Sequence, residues 1–91
     1  MTMAGARYVL PDRVTLDEAA AVRAQALAAL RAAAPQGPWE IDAVALDAFD
    51  SSCLALLLEL RRAVPQLTLR AAPPRLAQLA RAYGVEFVID A

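Results

Sequence analysis

The chain contains no histidine, no lysine and no asparagine, and it has one cysteine, Cys53. Without histidine, and with a single thiol, the sequence excludes a histidine-based metal site, a Ser-His-Asp triad and a Cys-His nucleophile. One cysteine cannot form an internal disulfide, so nothing indicates a disulfide-stabilised secreted protein. The excess of alanine and arginine is typical of GC-rich coding and carries no functional information.

The chain also lacks an excess of charge and any cluster of glycines. Ten acidic residues against nine arginines leave a net charge of -1, so we expect no binding to nucleic acid, which needs a basic surface. Gly5, Gly37 and Gly84 are too scattered to form a phosphate-binding loop. Asp42 and Asp50 would be the carboxylate pair of an enzyme, but no nucleophile accompanies them. We therefore expect no enzymatic activity, no metal and no cofactor.

No hydrophobic run is long enough to span a membrane. The longest strongly apolar run, Cys53 to Leu58, is far shorter than the roughly 20 residues that cross a bilayer. The amino terminus lacks the charged region and long apolar run of an export signal. At 91 residues, of which 59% are hydrophobic, the chain has the size and composition of one folded domain. We expect a single cytoplasmic domain over residues 1–91, with no direct insertion into the membrane.

Short alternating patterns predict four strands, with a fifth, two-residue strand as an option. The predicted strands are 7–10, optionally 13–14, 39–46, 66–71 and 85–89, with 47–49 as a connection. Trp39, at the start of the third of these, is interpreted as a core or edge anchor. With aromatic residues at only 5% of the chain, the core is expected to consist of leucine, valine, isoleucine and alanine.

Three helices are predicted between these strands. They run from the capping box Thr15-Leu16-Asp17-Glu18 to about Ala33, from about Ser52 to Val64, and from Pro73-Pro74 to a left-handed C-cap at Gly84. Arg23 falls awkwardly beside the apolar face of the first helix and is interpreted as reaching into solvent, with a partner contact as the alternative. The element order indicates an α/β domain with a mainly parallel central sheet of four to five strands and three helices.

The start of the second helix is the most distinctive segment. Asp50 or Ser51 can cap this helix, and Ser51 and Ser52 place two hydroxyl groups at its positive end. A phosphate on Ser51 or Ser52 would meet the same end of the helix dipole. A simple N-cap is the alternative interpretation of these three residues.

The second helix is unusually apolar. Leucine, cysteine and valine occupy most of its circumference, and only Glu59, Arg61 and Arg62 interrupt them. A surface helix needs an apolar stripe of only about 100°. This helix is therefore either buried on most sides, or it presents a ridge of leucines to a partner.

This segment resembles the central signature of STAS domains, the family of anti-sigma-factor antagonists and related modules. That signature is a strand ending in Asp, then Asp-Ser/Thr-x-Gly-Leu at the start of an apolar helix. Asp42 matches the strand-end Asp, and Asp50-Ser51-Ser52-Cys53-Leu54 match the helix start, with Cys53 where the family usually has Gly or Ala. Ser51 falls where the family carries its phosphorylatable or partner-contacting hydroxyl.

A second match lies at residues 69–85, which carry Pro-Pro-x-Leu and Leu-x-x-x-Tyr-Gly-Val. This run is similar to the MlaB-type branch, the small cytoplasmic subunits of the Mla phospholipid ABC transporter. The resemblance implies a STAS-like domain that docks on the transporter ATPase and supports its assembly or activity in maintaining lipid asymmetry. It would be peripheral to the inner membrane through that complex. The implied site consists of the partner-binding residues Asp50, Ser51, Ser52, Cys53 and Leu54, the supporting residues Asp42 and Asp47, and a possible contact at Tyr83.

The resemblance leaves a second function open, that of an anti-sigma-factor antagonist. In this alternative a partner kinase phosphorylates Ser51. The added charge of about -1.5 to -2 then repels Asp50 and Asp47 and disrupts the interface with the anti-sigma factor.

The remaining candidate residues have structural interpretations. Cys53 is expected to be a buried thiol, with a redox switch as the alternative because a helix N-terminus lowers the pKa of a thiol. Asp42 is expected to cap or hydrogen-bond the turn beneath the Ser51 helix. Arg75 and Arg81 are assigned to the solvated surface.

Overall fold

A computed structural model describes residues 5–88 of the chain. The strands are β1 (Ala6–Val9), β2 (Arg13–Val14), β3 (Trp39–Asp42), β4 (Ala48–Phe49) and β5 (Leu67–Arg70). The helices are α1 (Leu16–Ala33), α2 (Ser51–Ala63) and α3 (Pro74–Ala82), and a 3₁₀ helix follows at Glu86–Val88. All three predicted helices are present, and their observed limits lie within two residues of those expected.

The strands form two parallel sheets. The larger has the order β1-β3-β5, with β3 in the centre, and the smaller pairs β2 with β4. Helix α1 connects β1 to β3 and α2 connects β3 to β5, which is the crossover arrangement that parallel strands require. The predicted α/β fold with a mainly parallel sheet is confirmed, and its strands are divided three and two.

Alternation along the strands separates the two faces of the larger sheet. Ala6, Trp39 and Leu67 lie in register and are buried. The residues that follow them, Arg7, Glu40 and Thr68, also lie in register but point to the opposite, polar face. Since successive side chains of a strand point to opposite faces, the apolar face of the sheet packs on the helices.

Helices α1 and α2 contribute buried residues to the same core as the apolar face of the sheet. In α1, Val22, Ala26 and Leu30 are buried at the spacing of one helical face. Trp39 is fully buried, and its indole Nε1 donates a hydrogen bond of 2.7 Å to the Ala34 carbonyl. The other buried side chains in residues 5–88 are those of leucine, valine, isoleucine, alanine and cysteine, apart from Asp42, so both the anchor role of Trp39 and the aliphatic core are confirmed.

The strand predicted at 39–46 is too long, because the chain turns directly after Asp42. The Asp42 carboxylate accepts the Val44 backbone N–H at 2.9 Å, and the Leu46 N–H bonds to the Ala43 carbonyl at 3.0 Å. These bonds close a turn that redirects the backbone. Residues 48–49, predicted to be part of a connection, then form β4 against β2.

The strand predicted at 85–89 is wrong over the described residues, since Glu86–Val88 form a 3₁₀ helix; Ile89 lies outside the described residues. Gly84 has a φ of +71°, and its N–H bonds to the Arg81 carbonyl at 3.1 Å. The Val85 N–H bonds to the Ala80 carbonyl at 2.9 Å. This pair of bonds is a Schellman motif, so the predicted C-cap at Gly84 is confirmed. A 3₁₀ turn then points Val85 and Val88 to the same side, toward the core, which an alternating strand would not do.

None of the helices in residues 5–88 combines the length and the hydropathy that a bilayer-spanning segment needs.

Candidate functional site

The carboxylate of Asp50 caps two helices at once. Its Oδ1 accepts the Ser52 backbone N–H at 2.8 Å, as expected of an N-cap residue, and its Oδ2 accepts the Leu16 backbone N–H at 3.1 Å. Leu16 is the first residue of α1, so the positive ends of α1 and α2 converge on one negative charge. The hydrogen bonds from Ser52 and then from Leu16 lower the pKa of Asp50 below its ordinary value.

The two serines that follow Asp50 face different depressions beside α2. Ser51 is the first residue of the helix and is exposed, whereas Ser52 is half-buried. Ser51 lines a shallow depression that we call the Ser51 groove, formed by Ser51, Leu54, Ala55, Leu58, Tyr83 and Val85. Ser52 lines a second depression, between α1 and α2, that we call the Ser52 groove. It is formed by Leu16, Ala19, Ala20, Arg23, Ser52, Ala55, Leu56 and Glu59.

The Ser51 groove brings together two residues that sequence reasoning had proposed separately. Tyr83 lies between the last residue of α3 and Gly84, is 60% exposed, and lines the same groove as Ser51. An exposed tyrosine offers a large apolar ring and a hydroxyl that hydrogen-bonds, which makes it a favourable interface residue. The groove therefore combines an accessible serine at a helix start with an aromatic wall.

The leucines of α2 contribute little exposed surface. Leu54, Leu56, Leu57 and Leu60 are buried, and Leu58 is half-buried. Of the two interpretations of α2, burial on most sides is confirmed and the ridge of exposed leucines is wrong, because these side chains pack into the core. The exposed apolar surface beside the serines comes instead from Tyr83 and from Leu16, which is 76% exposed.

Leu54 and Cys53 have different positions although both were assigned to the partner-binding set. Leu54 is 3% exposed and forms part of the floor of the Ser51 groove. Cys53 is fully buried, and this burial, followed by the charge of Asp50, raises its thiol pKa to about 12. Direct partner contact and a redox role of Cys53 are therefore both wrong for this fold, since the thiol is inaccessible and protonated. The cysteine that stands in place of the usual small residue lies in the core and not on the outer surface of α2.

Asp42 lies at the end of β3, as the strand-end position predicts, and is 1% exposed. It caps the turn through Val44 and also accepts hydrogen bonds from two arginines on the flanking strands, Arg7 on β1 and Arg70 on β5, the latter at 3.3 Å. The Arg7 hydrogen bond and then that from Val44 lower the pKa of Asp42. The predicted turn-capping role is confirmed, and the ion pairs add a link across all three strands.

Asp47 contributes its backbone rather than its carboxylate. Its side chain is exposed, its N–H bonds to the Asp12 carbonyl at 2.8 Å, and its carbonyl accepts a hydrogen bond of 2.6 Å from the Arg75 guanidinium. The Ala48 N–H also bonds to the Asp12 carbonyl, at 2.9 Å. Asp47 thus supports the segment that leads into α2.

Sequence reasoning missed the contribution of α1 to this site. Leu16, the first residue of α1, exposes its side chain beside Ser52, and a leucine at a first helical position carries no signal of this. Arg23, interpreted as reaching into solvent, pairs with Glu59 of α2 at 3.1 Å and closes one end of the Ser52 groove.

The site offers recognition chemistry. The exposed Ser51 hydroxyl can exchange hydrogen bonds with a partner or accept a phosphoryl group, and the helix N-terminus stabilises negative charge beside it. Over residues 5–88, no three side chains of the metal-ligating types His, Cys, Asp and Glu lie close enough together to hold a metal ion.

Comparison with known proteins gives one match. Residues 6–90 match the protein-family model described as "Mlab, STAS domain". Searches of curated proteins and of solved structures returned no significant match.

Proposed function

Because the chain belongs to the family of MlaB-type STAS domains, we propose that it is a non-catalytic subunit that docks on the ATPase of an Mla-type phospholipid ABC transporter. In this role it supports the assembly or activity of the transporter, and it reaches the cytoplasmic side of the inner membrane only through that complex. The observation that carries the proposal is the exposed Ser51 at the first position of α2, in one groove with the exposed Tyr83.

The geometry suits a docking part. The serine hydroxyl provides a directed hydrogen bond, while Tyr83 and the half-buried Leu58 provide apolar contact area on either side of it. The double cap by Asp50 holds the start of α2 against α1, so little conformational freedom remains to be lost when a partner binds. Affinity would therefore come from a preorganised surface.

The proposal predicts that a negative charge at position 51 weakens docking without unfolding the domain. Glutamate at the first helical position is favoured by the helix dipole, so Ser51→Glu should keep the wild-type melting temperature. In the complex the same carboxylate would be desolvated without a partner, and we expect affinity for the purified ATPase subunit to fall at least about tenfold by calorimetry.

Gln36→Glu is the matched control for this experiment. It adds the same charge at an exposed residue between α1 and β3 and should bind like the wild type. Retention of full affinity by Ser51→Glu would show that the Ser51 groove is not the docking site. A wild-type chain that does not bind the ATPase of the same genome would refute the transporter role itself.

The exposure of Ser51 also supports a second candidate, an anti-sigma-factor antagonist switched by phosphorylation. A kinase needs an accessible hydroxyl, and Ser51 is the exposed serine of the Asp50-Ser51-Ser52 start. In this case a cognate kinase would label the wild type and not Ser51→Ala, and the labelled protein would release its anti-sigma factor. Neighbouring genes for an ATPase and a permease favour the transporter role, and those for a sigma factor and a kinase favour the switch.

A further inference from the structure

The segment Asp47–Asp50 leads directly into α2, and contacts from three parts of the fold hold it. On one side, its Asp47 and Ala48 N–H groups bond to the Asp12 carbonyl, and β4 pairs with β2. At its end, Asp50 is joined to the first residue of α1 through the Leu16 N–H. The third contact comes from Arg75 of α3.

Arg75 holds this segment in two ways. Its Nη2 donates a hydrogen bond of 2.6 Å to the Asp47 carbonyl, and its guanidinium carbon lies 5.0 Å from the centre of the Phe49 ring. A planar guanidinium both donates in a fixed direction and stacks on an aromatic ring. Arg75 therefore contacts the backbone of Asp47 and the side chain of Phe49, just before the residue whose carboxylate caps α2, Asp50.

We propose that Arg75 is a positioning residue that sets the start of α2, and with it Ser51 and Ser52, for docking. The proposal rests on the proposed function. Arg75 does not line the Ser51 groove. It acts through Asp47, whose carbonyl accepts its hydrogen bond, and through Phe49 and Asp50, which line a neighbouring depression together with Arg75. The arginine lies in the first turn of α3, so α3 as well as α1 determines where the partner-facing hydroxyls stand.

Hydrogen exchange in the isolated full chain tests the positioning role directly. Alanine is a strong helix former, so Arg75→Ala should leave α3 intact. We expect the N–H groups of Asp47, Ala48 and Ser52 to exchange at least about tenfold faster, while that of Ala26 in the centre of α1 is unchanged. Unchanged exchange at 47, 48 and 52 would overturn the proposal, whether or not the ATPase is the partner.

Binding to the ATPase subunit supplies the second measurement. Arg75→Ala should weaken binding about tenfold at a temperature where the variant is fully folded, and Arg75→Lys, which keeps the charge and a donor but not the planar stack, should recover part of that loss. Arg31→Ala, on the exposed last turn of α1, should match the wild type in both measurements. Faster exchange with unchanged binding would refute the link between Arg75 and docking. A loss of binding only in proportion to the unfolded fraction would show that Arg75 stabilises the fold in general and does not position the start of α2.

Discussion

At the scale of single residues, neighbours in the fold decide what each side chain of the Asp50–Leu54 run does. Asp50 would cap α2 in almost any structure, because the Ser52 N–H is local to it. Its second bond, to the Leu16 N–H, spans 34 residues and exists only because the two helix starts meet. Ser51 is exposed and Cys53 is buried on the same turn, so residues two positions apart in one motif lie on the surface and in the core.

The thiol of Cys53 should be unreactive in the native protein. It is fully buried and its pKa is raised to about 12 by burial and by the charge of Asp50, so almost no thiolate exists at neutral pH. Labelling with a disulfide reagent at pH 8 should be very slow in buffer and complete within minutes in a denaturing concentration of urea. Rapid labelling of the native protein would contradict the buried position.

At the scale of elements, the way α3 ends determines which residues form one side of the Ser51 groove. The Schellman motif at Gly84 turns the chain so that Tyr83 and Val85 both line this groove. Further along, the Arg61 guanidinium of α2 donates to the Phe87 carbonyl at 3.1 Å and lies 5.5 Å from the Phe87 ring centre. The segment after α3 is thus held along α2 from its start toward its end.

Gly84→Ala should destabilise the domain by about 1 kcal/mol. Gly84 has a φ of +71°, and a Cβ added there meets no other atom within 4 Å, so the cost comes from the backbone conformation alone. Urea unfolding measures it. Gly84→Asn should cost less, because asparagine tolerates the left-handed region better than alanine. An alanine variant as stable as the wild type would show that the left-handed cap is not maintained in solution.

At the scale of the whole molecule, two carboxylates, those of Asp42 and Asp50, connect separate elements of the fold and make its stability depend on pH. Asp42 links β1, β3 and β5 through Arg7 and Arg70, and Asp50 links α1 to α2. Both carboxyl groups have pKa values below the ordinary 3.8 in the folded state. Their contribution to the free energy of unfolding is therefore fully present above the unfolded-state pKa and is lost as the pH falls through the folded-state values.

We expect stability to be nearly constant at neutral pH and to decrease as the pH falls below about 4. Asp42→Asn keeps an oxygen for the Val44 N–H but loses both ion pairs, so it should be less stable at pH 7 and show a shallower decrease in acid. Asp12→Asn, at an exposed carboxylate, should keep the wild-type profile. Chemical denaturation between pH 2 and 7 measures these profiles; an unchanged slope for Asp42→Asn would contradict the role of this carboxylate.

Several features of the fold and of the site followed from the sequence because they depend on near neighbours. The capping box at Thr15, the N-cap at Asp50 and the C-cap at Gly84 are each completed by groups within a few residues. Helix limits follow such local bonds and the 3.6-residue period. The predicted end of β3 is too late because the strand ends where the Asp42 carboxylate accepts the Val44 N–H. An alternating pattern of apolar and polar residues gives no sign of this hydrogen bond.

The sequence by itself determined the parallel α/β order, the three helices and the position of two serines at a helix start, since periodicity and capping are encoded within short windows. Only the tertiary structure decided which side of α2 remains exposed to solvent and that Tyr83 lies beside Ser51. It also decided that Arg75 contacts Asp47, which is 28 residues away in the sequence. These arrangements arise from the packing of elements distant in sequence, where long-range hydrogen bonds and burial outweigh the local pattern.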